Sequence, residues 1–259
     1  MDFCLFKDFI KHVAGDRYPK NINFDLGGEP FLNPRLIDMV DFAALNGKLT
    51  SITTNGTLLS KGMIGGLLKS RLHQISISVD IVNGVNIRDG YPFKIIAGNI
   101  NNLIEERKHS KKRQPKVIIR CINFEGSSRK TILRQLKAKP DGIIFCPVTN
   151  WAGLVGEELP HEKRHVCLLP WIEMAMLYNG DFALCCNDPR GDLVIGNFPE
   201  NNLEDIWNGR ALIELREIIS GKKIASLKGQ NCQRCSRMRK GISLKEFIDY
   251  YRGKTRGGL

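Results

Sequence analysis

Two cysteines three positions apart, in "NCQRCSRM" at Cys232 and Cys235, form a clamp that can bite one metal ion or one cluster. Two more thiol positions precede them. Cys167 opens "HVCLLPWIEMAMLYNGDFALCCND", and after a hairpin-like "NGD" turn come the adjacent Cys185 and Cys186. A lone CxxC is a weak signal, but a CxxC joined by two thiols from a hairpin supplies four ligands. Tetrahedral zinc and an iron-sulfur cluster both accept such a set, so both stand as readings. A second chemical stretch is "FDLGGEPFLNP", where an apolar run stops at Gly27, Gly28, Glu29 and Pro30. Two glycines admit close backbone approach, the glutamate offers a carboxylate to a cation, and the proline fixes the exit direction. Those four read as a small-molecule cradle at the carboxyl end of a strand.

The elements that must position these residues alternate along the chain. Residues 4–14 carry Leu5, Phe6, Phe9, Ile10 and Val13 at helical spacing, with Gly15 as a stop. "INFDL" reads as a strand, and Asn33 with Pro34 as the cap of a helix through "RLIDMVDFAALNG". Strand "LTSITTN", a helix near 59–70, strand "HQISISVD", helix "AGNINNLIEERK", strand "KVIIRCINF", helix "RKTILRQLKAK" and strand "GIIFCPV" follow. Such alternation predicts an α/β fold, a parallel sheet with crossover helices in the manner of an open or partial barrel. Ligand loops of that architecture lie at the strands' carboxyl ends. There the sequence places "GGEP", "TTNGT" with Asn55, then Ser78 and Asp80, then Arg88 in "NIRDGYPF". A carboxylate, an amide, hydroxyls and a guanidinium on one rim suit an amino acid's two charged ends together with a ribose.

The 259 residues suffice for a main domain and a smaller one. The formal charge of +12 is spread out, and its densest run, "RKHSKKRQPK", reads as a solvated loop, so nucleic acid is not an expected partner. No stretch is long and apolar enough for a bilayer and no signal peptide is visible, which predicts a cytoplasmic protein without a membrane role. Eight cysteines in a reducing compartment point to metal or cluster ligation by some of them. Cys4, Cys121 and Cys146 sit in apolar runs and read as packing residues. His161 and His165 flank a charged linker and read as exposed, with His165 alternatively an outer neighbour of a cluster.

"GGEPFLNP", "ITTNGTLLS" and "ISISVD", taken in order, resemble the successive strand ends of radical S-adenosylmethionine (SAM) enzymes. The resemblance covers residues 1 to about 150 and implies a partial parallel (β/α)6 barrel lacking its first strand. It also implies that Gly27, Gly28, Glu29 and Pro30 hold the methionine ammonium of SAM, that Asn55 lies near the ribose, and that Ser78 and Arg88 face the carboxylate. Asp80 and Arg120 are alternatively structural polar residues at strand ends. The family's enzymes carry a CxxxCxxC loop whose thiolates hold a primary [4Fe-4S] cluster, and this chain contains no such pattern. Two alternatives follow: an N-terminally truncated chain whose loop lies upstream, which is the favoured expectation, or a degenerate member that makes no radicals.

The segment from Cys167 resembles the SPASM or shorter twitch extension of these enzymes, in which a cysteine, a glycine and a cysteine five positions on recur. Cys167, Gly180 and Cys185 match that pattern, so the resemblance selects Cys185 over Cys186, its neighbour on the opposite side of an extended segment. "IGNFPENNLEDIWNGRALIELR" resembles the helix-forming stretch that follows, with Trp207 and Arg216. The fuller form has further cysteines after the CxxC. "SRMRKGISLKEF" has none, which implies one auxiliary [4Fe-4S] cluster held by Cys167, Cys185, Cys232 and Cys235, with zinc as the alternative. The expected domains are 1–150 (barrel), 151–166 (linker), 167–245 (auxiliary-cluster domain) and 246–259 (basic tail). The implied function is hydrogen abstraction from a peptide side chain or a small hydroxylated molecule, with a flavodoxin or ferredoxin as reductant and the auxiliary cluster exchanging an electron with the substrate radical. The alternatives are a noncatalytic peptide- or SAM-binding module and a zinc-stabilised domain. No residue is singled out as catalytic, because specificity in such chemistry comes from orienting one C–H bond.

Overall fold

Apolar residues two apart along short β-branched runs, separated by amphipathic segments, fold here as the alternation predicts. The computed structural model describes residues 1–82, 85, 86, 92–122, 129–146, 166–221, 232 and 235. Arg88, the linker histidines His161 and His165, and the basic tail lie outside the described residues. The chain divides into two units, Phe6–Val148 and a second made of Met1–Leu5 with Thr149–Leu259.

The larger unit runs α1 (Phe3–His12, which begins in the other unit), β1 (Asn21–Phe24), α2 (Leu36–Leu45), β2 (Leu49–Thr54), α3 (Lys61–Lys69) and β3 (Gln74–Ser78). A two-stranded antiparallel excursion, β4 (Ile81–Val82) and β5 (Val85–Asn86), precedes α4 (Phe93–His109), β6 (Lys116–Ile122), α5 (Arg129–Gln135) and β7 (Gly142–Cys146). The main strands form one parallel sheet in the order β1-β2-β3-β6-β7. Each strand therefore lies beside its predecessor, and right-handed crossovers of that kind put every connecting helix on the same face. One face is accordingly apolar. Ile52, Ile75, Ile77, Val117, Ile119 and Cys121 pack there against Val40, Ile64, Leu67, Ile96, Ile100 and Leu103. Each fully buried aliphatic side chain of this kind contributes about 1.5–3 kcal/mol.

The opposite face is polar at the same strand levels. By register, Asn23, Ser51 and Gln74 share one row and Thr53 and Ser76 the next, with Ser78 beside Arg120 nearer the carboxyl ends. Thr53 Oγ1 donates to Asp25 at 2.9 Å and Gln74 Nε2 to Ser76 Oγ at 3.2 Å. Period-2 alternation thus separates a dry helix side from a side suited to polar ligands.

Three expectations need correction. Asn33 does not cap α2; its Oδ1 accepts from the Arg35 N–H at 2.9 Å, and a 3-10 turn at Pro30–Leu32 intervenes before the helix starts at Leu36. Cys4 is exposed, because α1 buries Phe6, Phe9 and Ile10 and turns Cys4 to the other side with Asp8 and Lys11. The stretch beginning "IGNFPENN" opens with a strand before its helices.

That strand, β10 (Val194–Asn197), joins β8 (Ala175–Met176) and β9 (Asp181–Ala183) in an antiparallel sheet ordered β10-β9-β8, followed by α6 (Leu203–Trp207) and α7 (Arg210–Ser220). The "NGD" hairpin requires a glycine. Gly180 has φ +94°, and a Cβ there would press on the Phe198 carbonyl oxygen, whose own N–H donates to Gly180 O at 2.9 Å. Asn202 caps α6 by accepting from Asp205 N at 2.8 Å. Arg216 stacks 4.4 Å above the Trp207 ring and donates to the Trp207 and Pro170 carbonyls, which ties α6 and the Leu169–Trp171 turn to α7.

Candidate functional sites

The first site is the carboxyl edge of β1 and β2. Glu29, on the loop after β1, accepts from Thr54 Oγ1 at 2.7 Å and from the Asn55 N–H at 2.9 Å, besides the Phe31 N–H at 3.2 Å. Its carboxylate therefore clamps the "GGEP" loop to the "TTNGT" loop and retains acceptor capacity, since two ionised oxygens offer about four lone-pair sites. Thr54 also accepts from the Gly56 N–H at 3.0 Å. Gly56 has φ +78° and lies against Ile77, where a Cβ would come within 2.9 Å of Cγ2, so this turn is built for glycine alone. Gly28 differs. A Cβ on Gly28 would meet nothing within 4 Å and its φ is not positive, so neither packing nor backbone strain calls for a glycine there. Open space above a bare backbone is what a close ligand needs.

Asn55 Oδ1 accepts from Thr57 N (2.9 Å) and Oγ1 (2.7 Å), an arrangement that fixes the amide and leaves its NH2 without a protein partner among the described residues. Ser78 is 8 % exposed at the end of β3, and no described residue hydrogen-bonds its hydroxyl. Gly27–Pro30, Asn55 and Ser78 thus all stand at the ends of neighbouring strands, while Arg88 lies outside the described residues. Asp80 is fully buried and its Oδ1 accepts from the Ile122 N–H, a clamp between the ends of β3 and β6. Arg120 Nη2 reaches Cys146 Sγ at 3.7 Å. Thr54 is the residue the sequence reading missed. A threonine in phase with Ile52 on the helix-facing side of β2, just before Asn-Gly, was the available signal.

The second site lies within the C-terminal unit. Cys167, Cys185, Cys232 and Cys235 line one cavity together with Leu169, Pro170, Leu184, Leu193 and Ile219, and with Asn187 and Asp188. All four thiols pack into the core of this unit against Leu212, Leu215 and Ile219. Cys186 is not on the cavity wall; a turn at Cys186–Asn187 parts it from Cys185, where extended-strand alternation had been expected to do so. No disulfide joins any of the eight cysteines.

Burial pushes the Cys185 thiol well above its ordinary range, opposed by a hydrogen bond from the Asn187 backbone N–H and reinforced by the neighbouring Cys232, Glu173 and Cys167. Burial likewise pushes Cys232 up to about 12, with Cys235, Cys167 and Asp188 adding to it. Each sulfur thus feels the others. Left to themselves the Cys185 and Cys232 thiols stay protonated in this apolar pocket; bound iron or zinc would reverse that preference and make them thiolates. The donor set fits a metal group. Four soft sulfurs line a largely apolar cavity, and one buried donor on its wall, Asn187 Nδ2, lacks a partner among the described residues. Among the described residues no three His, Cys, Asp or Glu side chains lie close enough to share a single metal ion. The thiols are set around the cavity wall.

Residues 167–236 match the family model described as "SPASM: Iron-sulfur cluster-binding domain". The fold matches BtrN in complex with AdoMet and 2-DOIA at TM-score 0.61 and 16% identity, covering 91% of this chain and 80% of that one. This is a radical SAM fold carrying a SPASM domain. Streptococcus suis SuiB bound to S-adenosylmethionine matches at TM-score 0.59 and 15% identity, with 83% of this chain and 60% of SuiB covered. Histidine-tagged anSMEcpe with bound AdoMet matches at TM-score 0.58 and 15% identity, with 98% of this chain and 85% of that one covered. The SPASM domain accounts for the "cysteine, glycine, cysteine" spacing in physical terms. Gly180 is the hairpin position that no side chain fits, and Cys185 follows β9 into the cavity. Asn187 and Asp188, also on that wall, escaped the sequence reading, although two polar residues directly after paired cysteines are an available cue. Among the described residues no helix is long and apolar enough to cross a membrane.

Proposed function

We propose that this protein is a radical SAM oxidoreductase or modifying enzyme that works by hydrogen abstraction on a peptide side chain or a small hydroxylated molecule. In this reading residues 1–150 bind SAM and 167–245 hold one auxiliary [4Fe-4S] cluster through Cys167, Cys185, Cys232 and Cys235. The observation that carries it is the convergence of those four thiols on one apolar cavity within the SPASM match. Zinc is the weaker reading, because the family model that residues 167–236 match is that of an iron-sulfur cluster-binding domain.

The chemistry that SAM supplies when bound to a reduced cluster is hydrogen abstraction by a carbon-centred radical. The chain's own residues bind and orient. Glu29 holds the two cradle loops in register and keeps an acceptor for an ammonium, Gly28 leaves room for it, and Asn55 and Ser78 present a donor amide and a hydroxyl. Arg88 is assigned to the SAM carboxylate on the strength of its motif. The polar sheet face of Asn23, Ser51, Gln74, Thr53 and Ser76 is suited to a hydroxylated or peptide substrate, in keeping with the 2-DOIA held together with AdoMet in the BtrN complex. A flavodoxin or ferredoxin fits as reductant, and eight cysteines without a disulfide fit the cytoplasm.

The alternative is a noncatalytic SAM-binding module. Calorimetry of SAM with the anaerobically reconstituted protein tests the cradle, and product analysis under reducing conditions separates the two readings. SAM binding that Glu29→Ala weakens supports the cradle, and 5'-deoxyadenosine formed on reduction once a CxxxCxxC loop is joined upstream supports the enzyme. Binding without product in that extended protein supports the module, and no binding heat overturns the cradle assignment.

A further inference from the structure

We infer that the side-chain amide of Asn187 donates an N–H···S hydrogen bond to the cluster in the SPASM domain and so sets its redox potential. The inference rests on the cluster reading above and assigns a role to a residue that is itself no ligand. Asn187 is 4 % exposed, lines the thiol cavity, and its Nδ2 is buried without a hydrogen-bond partner among the described residues. An unpartnered buried amide costs about 1–3 kcal/mol, so a native fold retains one where something completes it. Everything else on this wall is apolar or acceptor: Leu169, Pro170, Leu184, Leu193, Ile219, the four sulfurs and the Asp188 carboxylate. Reversing the amide would aim its oxygen at sulfur lone pairs, so the donor orientation is the favourable one.

The loop holds this amide in place. Asn187 follows Cys185 by two residues and lines the same cavity. Asp188, 2 % exposed, accepts from Asp192 N at 3.0 Å and Leu193 N at 2.8 Å, and its own N–H donates to Cys185 O at 3.1 Å. Residues 185–193 therefore form a self-clamped loop that presents Asn187 to the cavity. Cluster reduction adds negative charge that spreads onto the sulfurs. A donor fixed against them in a low-dielectric pocket stabilises the reduced form more than the oxidised form. The potential is thereby raised, which makes the cluster a readier electron acceptor.

The test compares the reconstituted wild type with Asn187→Leu, which keeps the size and removes the donor, by EPR-monitored redox titration after iron and sulfide analysis. At a fixed ambient potential the reduced-to-oxidised ratio is expected to fall about tenfold in the variant, equivalent to a drop of about 59 mV for one electron. An unchanged or raised potential with a fully loaded cluster overturns the inference and leaves the cluster reading intact. Wild-type protein without iron and sulfide overturns both. The wild type labelled with 15N in asparagine side-chain amides only gives a readout that does not depend on the variant's folding. A weak 15N coupling to the reduced cluster in pulsed EPR supports the bond, and its absence refutes it.

Discussion

Replacing Gly180 by alanine tests the link between hairpin geometry and the thiol cavity. The φ of +94° is strained for any residue with a Cβ, at about 1–3 kcal/mol. The added carbon would also stand well under 3.0 Å from the Phe198 carbonyl oxygen, which is backbone and cannot rotate away. Relief requires β9 and the Phe198 turn to part, and with them the Phe198 N–H to Gly180 O bond, worth about 1 kcal/mol net. The expected loss is about 2–4 kcal/mol. A domain of roughly 70 residues is stable by about 4–10 kcal/mol, so this is a large share. Gly191→Ala is the matched control: φ there is +69°, and the Cβ would clash only with the far end of Leu177, at 2.6 Å. It should cost about 1–2 kcal/mol. Thermal loss of the cluster's visible absorbance reports on this domain alone. Gly180→Ala should lower that midpoint by at least about 8 °C and by more than Gly191→Ala. A midpoint within about 2 °C of wild type, or a larger effect at Gly191, refutes the geometric argument.

Further expectations are as follows. Cys167→Ala and Cys232→Ala should lose the auxiliary metal by elemental analysis while Cys4→Ala, altering an exposed thiol, retains it; full metal content in the first two defeats the ligand assignment. Glu29→Ala removes the acceptor shared by Thr54 and Asn55, and charged hydrogen bonds of about 1.5–3 kcal/mol predict SAM affinity weaker by about 10- to 100-fold in calorimetry. Asp141→Ala strands Arg107, whose Nη1 lies 2.5 Å from Oδ2. Because Asp141 is one-third exposed, the loss should be about 2–3 kcal/mol in denaturant melts, below the ~3–5 of a fully buried pair. Burial lowers the pKa of His73, whose Nδ1 accepts from Thr50 N at 3.1 Å. Its stabilising share is therefore complete above the ordinary value of about 6.5 and is lost as pH falls through the lower folded value. His73→Ala should flatten the melting-temperature profile in that acidic window, and an unchanged slope contradicts this.

The parallel sheet was legible because Ile52, Ile75, Ile77, Val117 and Ile119 repeat every second residue between helical faces such as Ile96, Ile100 and Leu103. What escaped was decided by contacts between distant residues. Asn33 looks like a helix cap, yet the 3-10 turn started by Pro30 and capped by Glu29 delays α2 to Leu36. "VIGN" carries too little pattern to announce a strand, and β10 exists because β9 offers it an edge. Cys4 sits in an apolar run but falls on the charged side of α1 once Phe6, Phe9 and Ile10 are buried. The resemblance singled out four thiols that line one cavity, whereas Asn187 comes into view only through the cavity they share. Thr54 likewise becomes a site residue only when β1 and β2 lie side by side and Glu29 reaches across.

Iron, acid-labile sulfide and zinc content of this chain, purified and reconstituted without oxygen, bears most directly on the assignment of Cys167, Cys185, Cys232 and Cys235. About four irons and four sulfides per chain, lost together in Cys232→Ala, is the predicted result. About one zinc with no sulfide would contradict it and make the four cysteines a structural zinc site.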